Sequence, residues 1–177
     1  MTISGRPADG EFAAYATSDI DFVAGDDAVA ALRAQCDEVV ALFNTLRNDD
    51  VRGLAYAPGK WTLKEVLGHL ADDERIFAYR ALCIARGDTR PLPGFDEQEY
   101  VAGSRFEERT LADVLDEYRI VRAASLALFA SLDEPAWLRR GIVNEYEASV
   151  RGLAFHIAAH ELHHLRIVRE KYLATRL

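Results

Sequence analysis

Residues Thr62–Arg86, TLKEVLGHLADDERIFAYRALCIAR, carry the reading that decides the fold. Thr62 with Glu65 three positions on forms a capping box, in which each side chain satisfies a backbone N–H of the first helical turn. Leu63, Val66, Leu70 and Phe77 then recur along one side of a 3.6-residue period, until Gly87 and Asp88 stop the pattern. The stretch predicts an amphipathic helix over about 62–86, and a helix with one apolar stripe needs other elements to cover it.

Reading outward, three further segments offer that cover. Upstream of the turn-rich GLAYAPGKW (Gly53–Trp61), residues Asp26–Asn48 place Val29, Leu32, Cys36, Val39, Val40, Phe43 and Leu46 at helical steps, a helix over about 26–48. Downstream, Thr110 with Asp113 repeats the capping pattern, and Leu111, Val114, Leu115, Tyr118, Val121, Leu126, Phe129 and Leu132 predict a helix over about 111–132, ended by Asp133–Pro135. After AWLRRGIVNEYEAS, where Gly141–Tyr146 reads as a small hairpin or an irregular loop, the last helix runs over about 150–173. Residues 87–109 between the second and third helices hold two prolines and three glycines, too long and too broken for a tight connection. Residues 1–25, rich in Gly, Pro, Ser and Asp, read as an extended arm pinned by Phe12, Tyr15 and Phe22. The expectation is one domain over 1–177, an all-α four-helix bundle with a long crossover between helices two and three.

Composition narrows the function classes. A net charge of −8 disfavours a phosphate-binding surface, so nucleic acid is not an expected partner. Apolar runs are short of a membrane span and no leader pattern opens the chain, so a cytoplasmic protein without membrane contact is expected. Cys36 and Cys83 lack CxxC spacing and read as buried, reduced thiols.

Four of the five histidines fall in HIAAHELHHL, His156–Leu165. At about 100° per residue, His160 and His164 lie in the middle of the apolar stripe of the last helix and His156 and His163 at its edge. Imidazoles at i and i+4 can converge on one divalent ion, and His69, bordering the apolar face of the second helix, is a third donor. Asp73, one turn on from His69, reaches the same interior and is expected to orient a ligand histidine or to contact the ion's water. His156 and His163 are expected to hydrogen-bond to solvent or to support the ligands. HELHH also matches the His-Glu-x-x-His pattern of zinc proteases, but Glu161 sits about 100° round from His160, and only thirteen residues follow His164. Trp61, Tyr79 and Trp137 are candidate pocket or core aromatics, and Arg80 and Arg86 are read chiefly as exposed helix positions that can also receive an anionic substrate.

The segments APGKWTLKEVLGHLADDERIFAYRALCIARGD, LPGFDEQEYV and HELHHLRIVREKYL resemble the DinB-like superfamily, including its YfiT-type metalloenzymes, and the resemblance extends from RPADGEFAAY onward. It implies a four-helix bundle with a long crossover and a metal site of one histidine on the second helix and two on the last, which fall here on His69, His160 and His164. It further implies zinc or nickel as the ion, a low-molecular-weight thiol as co-reactant, a small-molecule substrate and thiol-dependent transfer or metal-dependent hydrolysis. A stress-related binding protein is the non-enzymatic alternative. The resemblance also implies a homodimer, for which Phe155 and Leu162 on the flank of the last helix are the expected contact residues.

Overall fold

The structure, a computed structural model, describes residues 5–174. In chain order the helices are α1 (Thr17–Asp21), α2 (Ala28–Asn44), α3 (Asn48–Val51), α4 (Leu63–Ala85), α5 (Glu97–Gly103), α6 (Leu111–Ala130), α7 (Glu134–Leu138) and α8 (Val150–Ile167). A hairpin of β1 (Arg140–Val143) and β2 (Tyr146–Ser149) precedes α8, turning through Asn144 and Glu145 at positive φ. The even-numbered helices are the long ones, and they form a four-helix bundle.

Local chemistry sets where these helices start. The Thr62 hydroxyl accepts from Glu65 N at 3.3 Å while Glu65 Oε2 accepts from Thr62 N at 2.7 Å, the full capping box that opens α4. At α6 only half the box forms: Thr110 accepts from Asp113 N at 3.1 Å, but Asp113 turns to Arg109 Nε at 2.6 Å. The ends differ more from the sequence reading. α2 stops at Asn44, and Asn48 begins a separate short helix whose Asn48 Oδ1 accepts from Leu111 N at 2.9 Å. α8 keeps regular geometry to Ile167 and widens into a π-helical turn over Val168–Tyr172, where the Tyr172 hydroxyl donates to Trp61 O at 2.6 Å.

Both α4 and α2 pack against α6 and α8, so the consecutive long helices α2 and α4 face each other across the bundle diagonal. The link over 45–62 spans that diagonal, whereas the crossover over 87–109 carries the chain from the end of α4 back to its start, so that α6 runs beside α4. The crossover is pinned at Leu92, whose N donates to Ile142 O and whose O accepts from Asn144 N, both at 2.9 Å, and at Pro93, whose carbonyl accepts from Arg80 at 2.7 Å. At its far end Lys64 Nζ, buried at the start of α4, donates to the carbonyls of Glu107 at 2.6 Å and Arg109 at 2.8 Å. α5 hangs between these anchors, against α4.

The apolar core is in two parts. One surrounds Leu32, Phe77, Phe129, Trp137 and Leu153, the other Phe43, Leu67, Val114, Tyr118 and Leu165. A polar layer separates them along every long helix. Its centre is Arg122, 1% exposed, which donates from Nε to Glu74 at 2.9 Å, from Nη2 to Glu161 at 2.7 Å and from Nη1 to Leu32 O at 2.7 Å. The Tyr118 hydroxyl donates to Glu161 at 2.6 Å. One guanidinium thus ties α2, α4, α6 and α8 together, and two buried carboxylates are held by it.

Several expectations are corrected. Of the three rings expected to pin the N-terminal segment only Phe12 packs against the core: Tyr15 is 68% and Phe22 63% exposed, and the fully buried residues there are Ala13, Ala16, Ile20 and Val23. Residues 1–4 of the expected arm, and 175–177 beyond the last helix, lie outside the described residues. Glu11 fixes the described part, accepting from the Ser149 hydroxyl and from Arg151 Nε, each at 2.6 Å. Gly152 makes this approach possible, since a Cβ there would lie 1.9 Å from Glu11 O. Phe155 is 1% exposed with the Arg6 guanidinium 5.4 Å from its ring centroid, so it offers no dimer contact, and Leu162 is half-buried against the core. Cys36 and Cys83 are unpaired but only partly buried. No helix among the described residues is long and apolar enough to cross a membrane.

Candidate metal centre

α4 and α8 run side by side, and their facing turns bring three imidazoles to one point. His69 Nε2 lies 3.1 Å from His160 Nε2, and His164 Nε2 lies 3.1 Å from that same atom. The three ligand atoms are all within 4.8 Å of one another. Two nitrogens bound to one ion at about 2.0–2.1 Å lie roughly 2.9–3.4 Å apart for angles between a right angle and the tetrahedral value. A neutral imidazole has one N–H and one lone pair, so both short contacts at His160 Nε2 cannot be satisfied by hydrogen bonds at its single lone pair. One cation would satisfy all three rings.

The electrostatics agree with that reading. Burial holds the His69 ring neutral, with its pKa lowered to about 4. Burial, with the neighbouring His69 and His163, lowers His164 to about 3. Burial also drives His160 well below its usual value. Neutral imidazole is the form that binds a metal. On the far side of the His160 ring, Asp73 Oδ2 lies 3.3 Å from Nδ1, without the alignment of a hydrogen bond. Burial pushes the Asp73 carboxyl well above its ordinary range, and the charge of Glu97 adds to this. A carboxylate behind a histidine is the arrangement that fixes a ligand's tautomer and direction. Of the two roles expected for Asp73, the geometry brings it to the ring and not to the open side of the cluster.

The remaining histidines separate. His163 is partly exposed, with Nδ1 3.4 Å from Asp19 Oδ2, in keeping with an edge position. His156 is not at an edge: it is 7% exposed and stacks on Phe77 with ring centroids 4.0 Å apart and planes 7° from parallel, a core aromatic. Glu161 points away from the cluster into the Arg122 network, which removes the general base that the protease pattern would need. Arg80 is buried at 4% exposure and committed to Pro93, correcting its reading as a surface position, whereas Arg86 is exposed. Trp137 is core, stacked on Phe129 at 5.5 Å, and Tyr79 is exposed beside the crossover.

Two clefts reach the cluster. One, of about 180 Å³, is lined by Tyr56, Lys60, Trp61, Gln98, His164 and Tyr172, with the Trp61 ring centroid 4.7 Å from that of His69. The other, of about 230 Å³, is lined by Tyr15, Asp19, Glu97, His160, His163 and His164. Glu97 was not visible in the sequence. It lies in the crossover, outside any periodic pattern, yet its Oε2 comes within 4.0 Å of His69 Nε2. Burial, with the charge of Asp96, raises its pKa.

A family model described as the DinB superfamily matches residues 31–168, a span that contains all three histidines of the cluster. The chain belongs to the DinB superfamily. Among solved structures it is similar to YfiT from Bacillus subtilis, described as a probable metal-dependent hydrolase with an unusual four-helix bundle topology. The TM-score is 0.69 at 16% identity, over 93% of this chain and 90% of that one. It is also similar to a mycothiol-dependent maleylpyruvate isomerase, with a TM-score of 0.65 at 12% identity, over 78% of this chain and 58% of the isomerase. At such identities the likeness is one of fold. No curated protein matches the sequence. Within the DinB fold, the diagonal placement of α2 and α4 is what sets α4 beside α8 and so brings His69 to His160 and His164.

Proposed function

We propose that this DinB-superfamily protein is a metal-dependent enzyme in which His69, His160 and His164 hold one divalent ion, zinc or nickel. The observation that carries the reading is the convergence of three neutral Nε2 atoms, two pairs of them 3.1 Å apart, on a point that two clefts reach. A divalent ion bound there would lower the pKa of a thiol or water and so supply a nucleophile near neutral pH. The chain itself contributes orientation and exclusion of water. Asp73 stands behind the His160 ring, 3.3 Å from Nδ1, where it can direct the ring once an ion is bound, and Trp61 covers the His69 and His164 rings on one side.

Thiol-dependent transfer to a small electrophile is the preferred reaction. Two clefts that share His164 but are lined by different residues give two reactants separate approaches to one point, which a bimolecular transfer uses and a hydrolysis does not need. The description of YfiT as a probable metal-dependent hydrolase supports hydrolysis as the second reading.

The test is elemental analysis of protein dialysed against metal-free buffer, beside His69→Ala and His160→Ala. About one ion per chain, absent from both variants, is expected. The loaded protein is then assayed with a chromogenic electrophile and cysteine, glutathione or mycothiol, and with chromogenic esters without thiol. Thiol-dependent turnover supports transfer, ester cleavage alone supports hydrolysis, and a wild-type chain that takes up neither zinc nor nickel overturns the metal reading.

A further inference from the structure

α5 stands over the open side of the histidine cluster. Its first two residues face different clefts, Glu97 lining the one beside Asp19 and Gln98 the one beside Trp61, so the first turn of α5 divides the two approaches to His164. The carboxylates around the cluster are otherwise committed. Glu161 is held by Arg122 and Tyr118, Asp19 faces His163, and Asp73 lies behind the His160 ring at its Nδ1. Glu97 alone among these faces a ligand nitrogen, with Oε2 4.0 Å from His69 Nε2, and it makes no hydrogen bond among the described residues.

That distance is longer than the roughly 2.9–3.4 Å between two ligands of one ion at angles up to the tetrahedral value, and the carboxylate stands outside the group of ligand atoms formed by the three histidines. Its side chain is 49% exposed, which leaves it rotational freedom, and it sits at the first position of α5, after the Asp96 cap, whose Oδ1 accepts from Gln98 N at 2.8 Å.

We infer that Glu97 is the carboxylate arm of the centre: it rotates the remaining distance onto an ion held by His69, His160 and His164, and an entering thiol or substrate must displace it. The inference rests on the metal reading above. It assigns Glu97 the job of closing the centre between turnovers, with its negative charge offsetting that of the cation until an anionic thiolate takes its place.

The test uses cobalt(II) as the probe, with the metal-free full chain, its Glu97→Gln and Glu97→Ala variants, Glu99→Gln as a same-helix charge control, and His160→Ala. Affinity is read by competition with a chelator and coordination by the visible absorption bands. The expected result is about tenfold weaker binding and altered bands in both Glu97 variants, with Glu99→Gln like wild type and all metal-free proteins equally helical by circular dichroism. Affinity within twofold of wild type, unchanged bands, or an equal loss in Glu99→Gln overturns the inference while leaving the three-histidine site standing. Wild-type protein that binds no cobalt sensitive to His160→Ala overturns both readings together.

Discussion

The Arg122 guanidinium donates to Glu161 at 2.7 Å, one residue along α8 from His160. The same side chain reaches Glu74 on α4, the residue after Asp73. The register of the two histidine-bearing helices is therefore set by a buried cation that touches no histidine.

Removing that cation would leave Glu74 and Glu161 buried and uncompensated. Arg122→Ala is expected to destabilise the fold by about 3–5 kcal/mol, measured by urea denaturation. Glu161→Gln, which keeps a hydrogen-bond acceptor for Tyr118, should cost less. Equal stability of Arg122→Ala and wild type would show that the network does not hold the bundle.

Asp73 meets the cluster at the His160 ring, 3.3 Å from Nδ1. Asp73→Asn should bind one divalent ion with an affinity about 10–100-fold lower, read by chelator competition, with the helical spectrum unchanged. An unaltered affinity would remove Asp73 from any part in directing the ring.

His156 shares the helix and the apolar surroundings of the cluster but stacks on Phe77. His156→Phe is expected to keep one ion per chain and to change stability by less than about 1.5 kcal/mol, as a near-isosteric core exchange does. Loss of the ion in this variant, by elemental analysis, would place His156 among the ligands.

Acid should loosen the N-terminal segment first. Arg151, opposed by burial and aided by Ser149, lowers the pKa of Glu11 to about 2. Arg140 adds a further cation 3.7 Å away. A carboxyl whose folded pKa lies below its unfolded value, about 4.3, contributes stability above that value and loses it as pH falls toward 2. The contribution is on the order of 3 kcal/mol at neutral pH. Between pH 5 and pH 2.5 wild type should therefore lose more stability than Glu11→Gln in parallel urea titrations. Identical losses would mean that the Glu11 pair does not anchor the segment.

How much of this was legible depended on distance along the chain. Periodicity located the long helices, and the Thr62–Glu65 box marked the start of α4, because such signals are made within one or two turns. His160 and His164 share a face for the same reason, four residues being about one turn. Phe155, Arg80 and His156 were misplaced because a helical wheel gives a side chain's direction and not what covers it. The crossover covers Arg80, the N-terminal segment covers Phe155, and Phe77 of α4 meets His156.

The sequence by itself determined the helices, their apolar stripes and the residue types able to bind a metal, since backbone hydrogen bonding and side-chain spacing are local. Only the tertiary structure decided that α4 lies beside α8 and that Arg122 locks their register. It also decided that Glu97 returns to His69 from 28 residues away, the separation of the two positions in the chain. Those are packing outcomes, set by which apolar faces bury one another and by where the crossover is pinned, and no pattern within one helix encodes them.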